Sequence, residues 1–293
     1  MSQNSLIWFI TGASSGFGWS LAKILIARGD RVIASTRSLD KVRELECTTC
    51  KALYLDVTDS VEKIQKVADD AMKIWGRVDV VVNNAGFGAP GFSEETGLQG
   101  FMHQFNANFF GVVNVSNAFL PYLRAQKSGT IVIVGSRHAW RAVNPMTGAY
   151  SASKAAVHAY GETLSAEIAP FGLRVLLVQP GAHRTNAISN ARANTIIEKT
   201  IPEYEALRQK AFGKYAVQNG KQPGDAVKAM QAVVDVVNGE GKAKGKPWPL
   251  WLVLGVDAEE DMRKHLEVRA KNLEDWLEVT RSTTVDDKNI VFI

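Results

Sequence analysis

Short apolar runs alternate with longer stretches of helical periodicity through the first 180 residues of the chain. Residues 6–10 form an unbroken apolar run, and Thr11-Gly12-Ala13-Ser14-Ser15-Gly16-Phe17-Gly18 follows it directly. This predicts a buried strand, a glycine-rich turn and a helix over 19–28. Further strands are predicted over 31–35, 52–55, 78–82, 130–134 and 174–178. Helical periodicity fills the intervals at 39–45, 60–75, 98–124 and 147–169. The strand at 78–82 is nearly all valine, as a strand buried on both faces should be. Strict alternation of this kind implies an α/β fold, a doubly wound parallel sheet with helices on both faces.

After Gly181 the pattern changes. Residues 187–218 are polar and helical in character, with Pro202 and Gly213 as expected breaks. An amphipathic helix is predicted over 225–238, a last strand over 250–254 and a charged terminal helix over 258–280. The sequence has no internal repeat and no interdomain linker. We therefore expect one domain over 1–293, with 187–250 covering the crevice at the carboxyl ends of the strands. The C-terminal helix is placed at 256–281.

Composition narrows the function classes. An apolar fraction of 46% supports a sizeable core. A net charge of +4 over 293 residues gives no reason to invoke nucleic acid. The basic run at 242–246 is interrupted by glycine and reads as a solvated loop. Cys47 and Cys50 have no second pair to complete a zinc site, and read as two reduced thiols; no metal is expected. No apolar stretch approaches the roughly 18 residues of a membrane span, and none reads as a signal peptide. A cytoplasmic protein is the expectation.

The turn after the first strand is where chemistry enters. Glycines let the backbone turn tightly, and the following helix aims its N–H groups and positive dipole end outward. That arrangement cradles a pyrophosphate. The spacing is Gly-x-x-x-Gly-x-Gly, distinct from the best-known dinucleotide fingerprint. Tyr150 and Lys154 are four apart on a predicted helix and share a face. A free phenol has a pKa of about 10, and a nearby ammonium lowers it. Asp56 follows a strand and could cap the next helix, with Thr58 and Asp59 as rival caps.

These pieces together resemble the short-chain dehydrogenase/reductase family of Tyr-x-x-x-Lys type, with a Rossmann-like fold. The resemblance rests on the 11–18 turn, Asp56, Asn83-Asn84-Ala85-Gly86, Asn108, a serine near 136, Tyr150-Ser151-Ala152-Ser153-Lys154, and Pro180-Gly181 with Thr185. It implies Tyr150 as general acid/base and Lys154 as the group that lowers its pKa and holds the nicotinamide ribose. It implies that Asn108 kinks its helix and anchors a proton-relay water, with Asn106 the weaker candidate. Cofactor contacts are implied for Gly12, Ser14, Ser15, Gly16, Phe17, Gly18, Asp56 (at the adenine), Asn83, Ala85, Gly86, Pro180, Gly181 and Thr185. His183 reads as a local packing residue.

Two positions are specific to this chain. The family's serine usually lies thirteen residues before the tyrosine, where this chain has Arg137; Ser136 lies fourteen before. Either the loop carries an extra residue near Ala142-Val143 and Ser136 acts, or Arg137 replaces the hydroxyl. The first is favoured because loops tolerate insertion. His138, Trp140 and Arg141 would then line the mouth of the site. The second strand ends Ala34-Ser35-Thr36-Arg37, without an acidic residue. Arginine suits a 2′-phosphate, so the cofactor is expected to be NADP(H), read by Arg37 with Thr36 or Ser35 assisting.

The resulting expectation is an oxidoreductase interconverting a carbonyl and an alcohol on a small molecule. Phe212, Tyr215, Trp248 and Trp251 point to an apolar or aromatic substrate. The alternatives are a relative using its bound cofactor for cyclisation or isomerisation, and a non-catalytic dinucleotide sensor. A homodimer or homotetramer is expected by analogy with the family.

Overall fold

The computed structural model describes residues 5–285. Seven strands form one sheet: β1 (Ile7–Thr11), β2 (Arg31–Thr36), β3 (Cys50–Tyr54), β4 (Val80–Asn83), β5 (Gly129–Val134), β6 (Leu173–Pro180) and β7 (Trp251–Leu254). Their order is β3-β2-β1-β4-β5-β6-β7, and every pairing is parallel. The doubly wound prediction holds.

Side chains of the central strands alternate between two cores, as the strand period requires. Ile7, Phe9, Val81, Ile131, Ile133, Val175 and Leu177 enter one core; helices α2 (Val61–Trp75), α4 (Gly111–Gln126) and α5 (Gly148–Ile168) cover it. Trp8, Ile10, Val80, Val82, Val132, Leu176 and Val178 enter the other, beneath α1 (Gly16–Arg28) and α8 (Ala226–Asn238). Phe9 of β1 meets Phe119 of α4 with ring centroids 4.6 Å apart.

Several boundaries differ from expectation for local reasons. The helix predicted over 98–124 is three pieces: α3 (Ser93–Phe105), a π-helical turn (Asn106–Phe110) and α4. In the segment after β6, α6 (Ala187–Ala191) is short, while α7 (Glu205–Gln218) runs straight through Gly213, correcting the break expected there. Nothing lies within 4 Å of a Cβ built on Gly213, so this glycine relieves no contact. The terminal helix divides at Trp276 into α9 (Val256–Asp275) and α10 (Leu277–Ser282). The cover is also smaller than 187–250, because α8 packs on α1 and into the core. Among the described residues no helix is long and apolar enough to cross a membrane.

Close approach of β1, α1 and the turn after β4 depends on Gly18. A Cβ there would lie 2.5 Å from the Gly12 carbonyl oxygen and 2.6 Å from Asn84 Nδ2. Gly18→Ala should lower stability by about 1–3 kcal/mol, read as a lower urea midpoint at unchanged m-value.

Candidate active site

A cavity of about 1580 Å³ opens at the carboxyl ends of the strands, where the strand order reverses between β1 and β4. Its floor is two locked turns. The buried Thr11 hydroxyl donates to the Val82 carbonyl (3.2 Å) and accepts from Asn84 N (3.0 Å) and Ala85 N (2.9 Å). Asn84 Nδ2 returns hydrogen bonds to the carbonyls of Thr11 (2.9 Å) and Gly12 (3.1 Å). Gly12 (φ +66°) and Gly16 (φ +56°) occupy left-handed backbone that other residues rarely adopt. Ser14, Ser15, Gly16 and Phe17 line the cavity at the start of α1, with Thr185 leaning over Gly16. Ala85, Gly86, Pro180 and Gly181 also line it.

Two expected contacts, Asn83 and Gly18, are placed beneath the cavity. Asn83 is buried, and its Nδ2 donates to Ser116 Oγ (2.9 Å) toward α4, so it braces the sheet beneath the site. Gly18 is a packing glycine beneath the turn. Asp56 stands between Leu55 and Val57, both of which line the cavity. It accepts from Thr58 N (2.9 Å) and Thr58 Oγ1 (2.7 Å) and pairs with Arg37 (3.6 Å). Partial burial works against its charge, but the Thr58 donors and the guanidinium hold its carboxyl below the usual range.

At the end of β2, Thr36 and Arg37 line the cavity and Arg37 is exposed. Ser35 is no reader, because it is buried and donates to the Ile10 carbonyl (3.0 Å). Lys41 lines the same corner as a second cation that sequence reasoning missed. It follows Arg37 by four residues on the short 3-10 turn Leu39–Leu45, and that spacing was the available signal.

The opposite end gathers the acid/base candidates. Ser136 ends the extended stretch after β5 and is buried. Its Oγ accepts from His138 N (3.1 Å), which caps the short turn Arg137–Ala139. Tyr150, on the first turn of α5, lies close enough to Ser136 for that side chain to draw its pKa down. The Tyr150 ring reaches the cavity and lies against Gly88, where a Cβ would come within 3.6 Å of it. Arg137 instead turns away to Asp257 Oδ2 (2.6 Å) and Asp261 Oδ2 (2.9 Å). The loop reading is thereby supported geometrically, with Ala142 and Val143 exposed in it.

Lys154 is buried, and its Nζ donates to the Val134 carbonyl (2.7 Å). Burial pulls its pKa down to about 8. Burial also pushes the Tyr150 phenol above its ordinary value, with Ser136 pulling the other way. This corrects the expectation of a phenol lowered by Lys154: desolvation sets the direction, and Lys154 is not among the causes of the shift. Asn108 sits in the π-turn, as a helix-kinking residue should. Its Oδ1 accepts from Phe87 N (3.0 Å), and its Nδ2 donates to Phe87 O (2.9 Å) and Ser153 Oγ (3.1 Å). It lies behind Gly86 and outside the cavity wall, which Asn106 does reach.

Two histidines frame Ser136. His138 stands edge-on to Tyr150 at 5.5 Å, and burial together with Arg137 and Arg141 lowers its pKa to about 4. His158, missed from sequence, accepts from Ser136 N through Nε2 (3.3 Å). Its pKa falls to about 4 through burial and then Lys154. Its signal was the i+4 spacing from Lys154 on the buried face of α5. Met146 was also missed; it lines the cavity in left-handed backbone (φ +67°), a strain of the kind that clusters at working sites. His183 packs locally as expected, with Nδ1 3.1 Å from the Gly181 carbonyl and its ring edge-on to Phe17.

The aromatic expectations divide. Phe212 and Tyr215 of α7 line the cavity. Trp248 donates to the Val175 carbonyl near the start of β6, under Arg174, and Trp251 is exposed and donates to Glu162. Both are therefore remote from the site. Trp140 likewise turns from the mouth to Gln179 (3.2 Å), whereas His138 and Arg141 do line it.

Comparison with known proteins agrees with this geometry. The family model described as short chain dehydrogenase matches residues 7–195. Oxidoreductase BOA17 of Botryotinia fuckeliana is 36% identical over 279 residues, covering 94% of this chain and 97% of that protein. The crystal structure of a short-chain dehydrogenase from Streptomyces avermitilis superposes with a TM-score of 0.82 at 35% identity, covering 96% of this chain and all of that one (100%). Two more distant structures share the fold. One is a Burkholderia cenocepacia short chain dehydrogenase in complex with NADP (TM-score 0.70, 24% identity, 94% and 99% covered). The other is a Burkholderia phymatum enzyme of the same class in complex with NAD (TM-score 0.75, 20% identity, 100% of both chains). From its glycine turn to its Tyr-x-x-x-Lys helix, the chain belongs to the short-chain dehydrogenase/reductase family of oxidoreductases.

Proposed function

We propose that this protein uses NADP(H) to interconvert a carbonyl and an alcohol on an apolar or aromatic small molecule, with Tyr150 as the acid/base. The observation that carries this reading is the meeting of Ser136 and Tyr150 at the wall of one cavity that also reaches Arg37. The residues present fit a dinucleotide: two left-handed glycines and the open N-terminus of α1 suit a pyrophosphate, and Lys154 lies behind Gly86 at the nicotinamide end. When bound, the dinucleotide supplies or accepts the hydride.

The chain's own residues manage the oxygen and its proton. Ser136 holds the substrate oxygen, and Tyr150 gives it a proton in reduction or takes one in oxidation. Lys154, charged below about pH 8, favours the phenolate left behind. Asn108 fixes the backbone at Phe87 and so keeps Gly86 and Gly88 against Lys154 and Tyr150. Phe87, Met146, Phe212 and Tyr215 supply an apolar wall, which supports an apolar or aromatic substrate. The cyclisation or isomerisation alternative takes its motive from Arg137 at the serine position, and the engagement of Arg137 with two carboxylates favours the redox reading over it.

Tyr150→Phe should lower turnover by about 10²–10⁴-fold while NADPH still binds, as followed by nucleotide fluorescence. Undiminished turnover would remove Tyr150 from its role.

Arg37→Gln should weaken kcat/KM for NADPH by about 10–100-fold, the worth of a charged hydrogen bond to phosphate, and leave NADH little changed. Equal losses with both nucleotides would refute the NADP assignment.

The pH profile of kcat/KM for NADPH reads the free enzyme. It should fall as Lys154 loses its proton above about pH 8, and Lys154→Arg, which stays charged, should abolish that limb.

A further inference from the structure

Arg137 occupies the position where the family resemblance placed a serine, and its partners lie outside the segment that the family model matches. Its Nη1 is 2.6 Å from Asp257 Oδ2 and 2.9 Å from Asp261 Oδ2, both on the first two turns of α9. Arg141 Nε joins Asp261 Oδ1 at 2.7 Å. Asp257 Oδ2 also accepts from the backbone N of Ala182 (2.8 Å), in the loop after β6. One pair of carboxylates thus ties together the two loops that flank Tyr150 and the end of β6.

Only Ala258 of α9 is buried. The side chains of Arg137, Asp257 and Asp261 are 17%, 22% and 19% exposed, so the pairs are well shielded from water. Asp257 is crowded as well. A Cβ on Gly181 would lie 2.2 Å from its Oδ1, and one on Gly255 would lie 2.8 Å from it. Asp257 Oδ1 is buried without a hydrogen-bond partner among the described residues. A carboxylate kept in such a place is poor value for stability alone. Its neighbours give it another use. Arg137 opens the three-residue turn that Ser136 caps, so a fixed guanidinium restrains the backbone directly beside the Ser136 hydroxyl.

We propose that Asp257 and Asp261 are positioning residues: acting through Arg137, they hold the Ser136 loop in register with Tyr150. The proposal rests on the roles given above to Ser136 and Tyr150. It predicts that the C-terminal helix contributes to the chemical step without touching substrate.

The test uses the full chain carrying Asp257→Asn with Asp261→Asn, and Asp261→Asn and Asp261→Glu singly. The first readout is hydrogen–deuterium exchange over residues 135–141. The second is kcat, KM, NADPH affinity and the primary isotope effect from deuterated NADPH, with the aldehyde or ketone that the wild type reduces fastest. Faster exchange confined to 135–141 and 180–185 is expected, with kcat down by about 10²-fold, a larger isotope effect, NADPH affinity unchanged, and partial rescue by Asp261→Glu. Arg137→Met should reproduce the loss, and adding Asp261→Asn to it should cost little more. Unchanged exchange and unchanged kcat would overturn the proposal. So would a loss of activity that only tracks the folded fraction, with an unaltered isotope effect. If the double variant does not fold, the single Asp261→Asn decides by the same readouts. A wild type that reduces no carbonyl would defeat the proposed function instead, and the exchange result would still judge the brace.

Discussion

The site depends on a lock between the turns that leave β1 and β4. These neighbouring strands send their chains to opposite faces of the sheet, which opens the crevice between them. Opening a crevice exposes backbone groups that cannot all be left unpaired, since each unsatisfied buried group costs about 1–3 kcal/mol. One threonine hydroxyl and one asparagine amide answer this. Thr11 Oγ1 serves as donor once and acceptor twice, and Asn84 Nδ2 donates twice. With all five contacts made, the glycine turn has no freedom to drift. The N-terminus of α1 is then aimed into the cavity, and Gly86 and Gly88 are delivered to Lys154 and Tyr150.

At the other end of the crevice the dominant force is desolvation. Lys154 drops from 10.5 to about 8, a shift worth roughly 3 kcal/mol. Because the fold lowers the amine's pKa, this cost to stability is present in full below about pH 8 and fades as pH rises toward 10.5. The single bond to the Val134 carbonyl, worth about 1.5–3 kcal/mol for a charged donor, offsets it in part at most. His138 and His158 show the same force acting on imidazoles, and both stay neutral at physiological pH beside Ser136. A neutral ring can accept from Ser136 N, as His158 does, which a charged one could not. Low polarity therefore serves two ends: it keeps the lysine close to titration and the imidazoles available as acceptors.

Most of the sheet was legible because strands buried on both faces read as short apolar runs, and the valines of β4 are the clearest case. The glycine turn and the Tyr150–Lys154 pair were legible because each imposes residue types at fixed spacing. What was not legible depended on contacts distant in sequence. The fate of Arg137 is set by carboxylates 120 and 124 residues away. The burial of Ser35, the turning of Asn83 toward Ser116 and the removal of Trp248 and Trp251 from the site are likewise tertiary facts. The upward direction of the Tyr150 shift is equally illegible, since it comes from desolvation, which is invisible until burial is known. The π-turn at Asn106–Phe110 follows the same rule, since it exists to bring Asn108 onto the backbone of Phe87.

The segment that covers the cavity is attached differently from the rest of the molecule. No residue of α7 is buried, whereas α8 buries Ala229, Met230, Val233, Val234 and Val237. The cover is fastened instead by polar and aromatic contacts at its start. The buried Glu95 of α3 accepts from Ile201 N (2.7 Å) and pairs with Arg208, and Tyr204 stacks on Phe92 at 4.3 Å. The other end of α7 carries Phe212 and Tyr215 over the cavity. Elements with little buried apolar surface open at low free energy. The two helices are thus held differently: α8 is part of the core, whereas α7 is held over the cavity by the contacts at its start.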